Sequence, residues 1–119
     1  MKGIFVNENE APFANWIVQG WKTIETRSRN VLRPLVGERV AIIRTKSGQK
    51  SMVIGVVKIV DSFREDVRFL RTSTMIPVGS KFDTGYRWMY VLERPEEVEP
   101  FPLPENAVRH GRSWCEWEE

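Results

Sequence analysis

The stretch Gln19-Gly20-Trp21-Lys22-Thr23-Ile24-Glu25-Thr26-Arg27-Ser28-Arg29 decides how the chain is read. Gly20, Lys22, Glu25 and Arg27 give the spacing G-x-K-x-x-E-x-R, which a chain of 119 residues meets by chance roughly once in a thousand at average residue usage. Just upstream, Phe13, Trp16, Ile17 and Gly20 recur at helical spacing, predicting a helix over residues 10–19 with one packed face. Asn9 is placed to cap it, and Pro12 is tolerated in its first turn. Gly20 then stands at the helix C-terminus, where only glycine takes the left-handed conformation cheaply. A strand begins at about Thr23. Alternation puts Glu25 and Arg27 on one face of it, and Lys22 falls in the turn before, free to swing towards the carboxylate. Such charges on a surface form an ion pair worth roughly 0–1 kcal/mol. Gathered behind a glycine turn, the same three can line a cleft.

Downstream, Ile4–Val6 reads as a short opening strand, and residues 39–45 as a strand apolar on both sides, with Val40 and Ile42 opposing Ala41 and Ile43. Residues 46–50 form a hairpin loop around Gly48. Residues 51–60 form the longest β-like run, and Gly55 inside it predicts a bulge or sharp bend. Phe63, Val67 and Leu70 are spaced for a short helix over residues 63–71. Residues 72–85 break the pattern, an irregular connection long enough to cover the motif cleft. Residues 86–94 make a strand, the proline-rich residues 95–105 run extended on the surface, and residues 113–118 close the sheet. The reading is one domain over residues 1–119, of α+β class.

The motif resembles the signature of the ASCH domain, a member of the PUA-like superfamily. Ser28 after the arginine and the run Arg33–Ile43 fit that family as well, while Arg29 departs from it where many members carry tryptophan. The resemblance implies a small PUA-like β-barrel with flanking short helices. It also implies a cleft lined by Lys22, Glu25 and Arg27, and a role in binding RNA, a nucleotide or a nucleoside. Some bacterial relatives hydrolyse acetylated cytidine. They read G-x-K-T-x-T-x-R here, with threonine at the position of Glu25.

Composition narrows the field. Hydrophobic residues at 41% and charged residues at 29% are those of an ordinary soluble protein, expected in the cytoplasm. A net charge of +2 argues against a purely electrostatic duplex binder and leaves room for a local basic groove. No run of 18 apolar residues predicts a membrane span. Cys115 and His110 are the single members of their types, so neither a disulfide nor a zinc site is expected, nor any cofactor. Cys115, between Trp114 and Trp117, reads as a buried thiol.

Single strands are held by aromatics that stack on bases and cations that follow phosphates. The candidate ligand-binding set is Gly20, Trp21, Lys22, Glu25, Arg27, Tyr86, Arg109 and Arg112. Trp21 can stack on a base or pack at the helix end; Tyr86 can stack or join the core. Arg27 is the expected phosphate fork. Glu25 can accept from an exocyclic amine or orient Lys22. Arg109 and Arg112 flank Gly111 in a donor-rich turn before the last strand. Single-stranded RNA or a nucleotide is the first reading. The second is a small hydrolase of a modified nucleoside or of RNA, with Lys22 and Glu25 as catalytic residues. The third is a protein-interaction module. A carboxylate beside Lys22 is expected to keep the ammonium charged, which argues against a nucleophilic lysine.

Overall fold

Two alternating strands set the architecture. In β1 (Lys2–Asn7) and β3 (Arg39–Thr45), successive side chains point to opposite faces, and both faces are apolar. Ile4, Val6, Val40 and Ile42 enter the main core; Phe5, Ala41 and Ile43 enter a smaller one with Cys115 and Trp117 on the reverse side. The two strands pair in parallel, Ile4 opposite Ile42. The computed structural model describes all 119 residues.

The remaining strands are β2 (Ile24–Arg27), β4 (Met52–Asp66), β5 (Tyr86–Pro102), β6 (Val108–His110) and β7 (Trp114–Glu116). They join in one seven-stranded sheet of order β2-β5-β4-β3-β1-β7-β6. The expected barrel is not closed. The end strands β2 and β6 each hydrogen-bond to one neighbour only, and not to each other. The four residues of β2 are too few to offer a long second edge. A side chain bridges part of the gap instead: Arg27 Nη2 donates to the Phe5 carbonyl of β1 at 2.6 Å.

Helix α1 (Phe13–Val18) lays Phe13, Ala14, Ile17 and Val18 on the sheet. Gly55 admits it. Ile42 pairs with Gly55 and Ile43 with Val53, so Ile54 bulges, and a Cβ at Gly55 would lie 2.3 Å from Val18 Cγ1. The helix is shorter than the expected 10–19, and Asn9 does not cap it. Pro12 holds the N-cap position without a side-chain cap, and the buried Glu8 carboxylate accepts from the first-turn Asn15 N–H at 3.0 Å. Asn9 instead ties the 46–50 loop through Ser47.

The expected helix over 63–71 is also corrected. Phe63 to Asp66 continue β4 against Met89 to Tyr86, and a 3-10 turn over Val67–Phe69 follows, with Asp66 accepting from Arg68 N. A four-residue helix α2 (Arg71–Thr74) then ends on Met75 at φ 56°. The proline-rich segment runs extended and exposed, as read, and as far as Pro102 it belongs to β5, paired with β4. No helix is long and apolar enough to cross a membrane.

Candidate functional site

Gly20 sits at φ +84°, a left-handed residue just past α1. Its turn lets both Trp21 N and Lys22 N donate to the Trp16 carbonyl, which aims the Lys22 side chain inward. Lys22 lies in this turn, before β2, and is only 2% exposed. Its ammonium donates to the Thr74 carbonyl, stands 3.6 Å from Glu25 Oε1 and lies 5.1 Å from the centre of the Phe13 ring. Glu25 accepts from Thr26 N through Oε1 and from Arg27 Nη2 through Oε2, each at 3.1 Å. The motif is therefore a buried Lys–Glu–Arg array, not a solvated surface pair.

Burial acts on both partners. It pushes Lys22 below the ordinary lysine value, with Glu25 opposing. Glu25 thus acts in the expected direction, favouring the charged ammonium against the burial. Burial also raises Glu25, but the charges of Arg27 and Lys22 and the bonds from Arg27 and Thr26 more than offset it, leaving the carboxyl below its ordinary range. Glu25 is an ionised acceptor.

The array forms the floor of a cleft of about 310 Å³. Phe5, Phe13 and Phe82 line it, with Ile76 from the 75–85 connection, Asn7 and Thr45 from the ends of β1 and β3, and Thr26, Arg87 and Arg112. The irregular connection thus borders the cleft, as its position in the sequence suggests, and is pinned there. Thr23 N donates to the Ser73 carbonyl, and Arg71 pairs with Asp83 at 2.9 Å.

Of the sequence candidates, Lys22, Glu25, Arg27 and Arg112 line the cleft, and Gly20 shapes the turn behind it. Trp21, 64% exposed, and Tyr86, 60% exposed, stand outside its lining. Tyr86 carries Arg64 over its ring at 5.8 Å. Arg109 packs on Phe5, 4.4 Å from the ring centre, and does not line the cleft itself. The aromatic walls are phenylalanines rather than the tryptophans and tyrosines that composition brings forward. Tyr90 is fully buried, its hydroxyl accepting from Leu32 N at 3.2 Å and meeting Asn30 Oδ1 at 2.8 Å.

Arg87 is the residue the candidate set lacks. It is 8% exposed, and its Nε donates to Thr26 Oγ1 at 2.9 Å. The sequence carried one signal for it. Arg87 shares a strand face with Met89 and Val91, with a second charge only at Glu93. Cys115 is buried in the reverse-side core, which raises its thiol above the ordinary value. No three His, Cys, Asp or Glu side chains gather where they could hold a metal ion.

No family model matches the chain, and no curated protein does. Solved structures do. An ASCH protein from Zymomonas mobilis is 24% identical, over 85% of this chain and 73% of that one, with a TM-score of 0.65. Its serine-to-alanine variant matches at 19% identity over 98% and 88%, with a TM-score of 0.68. Its tyrosine-to-phenylalanine variant matches at 22% over 87% and 77%, with a TM-score of 0.64. At these identities the likeness is one of backbone architecture, and the architecture of this chain is that of the ASCH fold.

Proposed function

We propose that the cleft binds a nucleotide-sized segment of single-stranded RNA. One observation carries the reading: four cations, Lys22, Arg27, Arg87 and Arg112, line a phenylalanine-walled cleft in which Glu25 is the single carboxylate. The cationic excess suits a phosphate, and the ring faces suit a base. The volume is near the lower end of the range for small-molecule sites, about 300–1,000 Å³, and excludes a duplex. Glu25 is fixed by Arg27 and Thr26 and takes the exocyclic amine of a base. A base stacked on Phe82 or Phe13 contributes roughly 1–3 kcal/mol. Together with phosphate contacts, that supports micromolar affinity.

Titration of labelled single strands and duplexes at several salt concentrations tests the reading. Two or three neutralised phosphates give a slope of about 1.4–2 in log K against log salt, since each contributes about 0.7 on a single strand. Equal affinity for duplex, or no binding at millimolar concentration, rejects it and favours a protein partner.

A second reading, hydrolysis of a modified nucleoside, is favoured by one observation. Burial weakens the Lys22 ammonium while Glu25 stands 3.6 Å away. Glu25 would then act as general base for water, with Lys22 polarising the carbonyl under attack.

A further inference from the structure

Among the cations of the cleft, buried Lys22 and half-buried Arg27 have Glu25 within ion-pair distance, and buried Arg87 has no carboxylate so close. Lys22 and Arg27 both lie within ion-pair distance of Glu25, and Arg27 Nη2 is committed again to the Phe5 carbonyl. Arg27 is therefore poorly placed to serve as a phosphate fork. Arg87 is as deeply buried as Glu25 yet forms no ion pair. Its protein bonds run to two hydroxyls, from Nε to Thr26 Oγ1 at 2.9 Å and from Nη1 to Thr84 Oγ1 at 3.3 Å. A guanidinium has more N–H donors than these two bonds use. Nη2, which makes no bond within the protein, is not sealed inside it. It opens onto the cleft that Arg87 lines.

We propose that Arg87 is the anion-binding subsite of the cleft, taking a phosphate group through its free guanidinium edge. The position is built for this. The two hydroxyls fix the plane of the guanidinium, and Phe82, 5.6 Å from the guanidinium carbon, lies against it. A preset planar fork loses little freedom on binding, and bidentate phosphate contacts are what arginine makes best. A buried charge without a counter-charge is costly, so a dianion is favoured there. The inference rests on the reading of the cleft as a ligand site. It deepens that reading by making the ligand a phosphorylated one, oriented with its phosphate towards Thr26 and Thr84 and its base towards Glu25.

Three titrations test it, with inorganic phosphate, ribonucleoside 5′-monophosphates and the matching nucleosides, each against chloride at equal ionic strength. The readouts are thermal unfolding and the Arg87 Nε–H resonance of the unmodified protein, so the result does not depend on a variant that folds. Phosphate is expected to shift that resonance and raise the melting temperature. Monophosphates should bind at least tenfold more tightly than nucleosides. Arg87→Lys should abolish most of that preference. Phosphate that leaves the Arg87 resonance unmoved, or monophosphates that bind but no more tightly than their nucleosides, overturns the subsite and leaves the nucleic-acid reading intact if single strands still bind. Phosphate bound at Arg87 with no affinity for any nucleotide supports the subsite and rejects the nucleic-acid reading.

Discussion

Replacing Glu25 by glutamine keeps the size of the side chain and one acceptor oxygen, and removes the charge between Lys22 and Arg27. The magnitude follows from the geometry. Two cations stand 3.6 Å and 3.1 Å from the carboxylate, all three groups being mostly buried. Removing one partner of a buried charge array costs about 3–5 kcal/mol, because the other charge is left uncompensated. The lower end applies, since Arg27 is partly open to the cleft and glutamine can still accept its N–H. A loss of about 3 kcal/mol lowers the melting temperature of a domain this size by about 10 °C.

The sign of the pH dependence makes the test specific. The folded Glu25 carboxyl lies below its ordinary value of 4.5, so its contribution is present above that pH and is lost as pH falls through the folded value. Glu25→Gln lacks the group. The stability gap between parent and variant should therefore be full at neutral pH and close in acid. Asp66 and Asp83 also lie below their ordinary values, through bonds from Arg68 and Arg71 respectively, so the difference between the two proteins is the quantity to follow. Urea unfolding monitored by tryptophan fluorescence at pH 7 and at about pH 3 measures it. A loss under about 1 kcal/mol at neutral pH, or a gap unchanged in acid, would refute the buried, ionised Glu25. Adding Lys22→Met to Glu25→Gln should recover part of the loss, because it removes the stranded ammonium.

Gly55→Ala should destabilise the protein by about 3 kcal/mol, since the new Cβ meets Val18 Cγ1 at 2.3 Å and the Glu96 carbonyl at 2.7 Å; urea midpoints check this, and an unperturbed variant would show that α1 does not pack there. Gly20→Ala meets nothing closer than Pro95 Cγ at 3.5 Å, so its cost, about 1 kcal/mol, comes from φ +84° alone, and ligand affinity should fall with it as Lys22 shifts. Tyr90→Phe strips the buried Leu32 N–H of its acceptor and should cost about 1–3 kcal/mol by the same measurement. Incubation with N4-acetylcytidine should release no cytidine, because Lys22 is committed to the Thr74 carbonyl and faces a carboxylate; turnover that disappears in Lys22→Ala would put the hydrolase reading first.

The strands that alternate between two apolar faces were legible, because β1 and β3 carry their core positions in their own sequence. The turn at Gly20 was legible for a similar reason: its geometry is decided by one residue. The segment 63–71 was not. Phe63, Val67 and Leu70 suit a helix, yet the backbone of 63–66 is claimed by Tyr86–Met89, which no local spacing reveals. The prolines of 95–102 suited the extended surface run read there. Proline is excluded from a strand paired on both edges, but β2 pairs with β5 only as far as Val91, leaving one edge free beyond it.

The same division runs through the site. Glu25 finds its partners three residues back and two residues on, so a short pattern captures the array. Its charges are satisfied within the motif, which is why it can fold as a unit behind Gly20. Arg87 finds Thr26 only across 61 residues, through the pairing of β5 with β2, and no carboxylate of the chain stands within ion-pair distance of it. Local sequence therefore shows the part of the cleft that completes itself. The other part is assembled at long range, and its open guanidinium edge is the one we propose an anion fills.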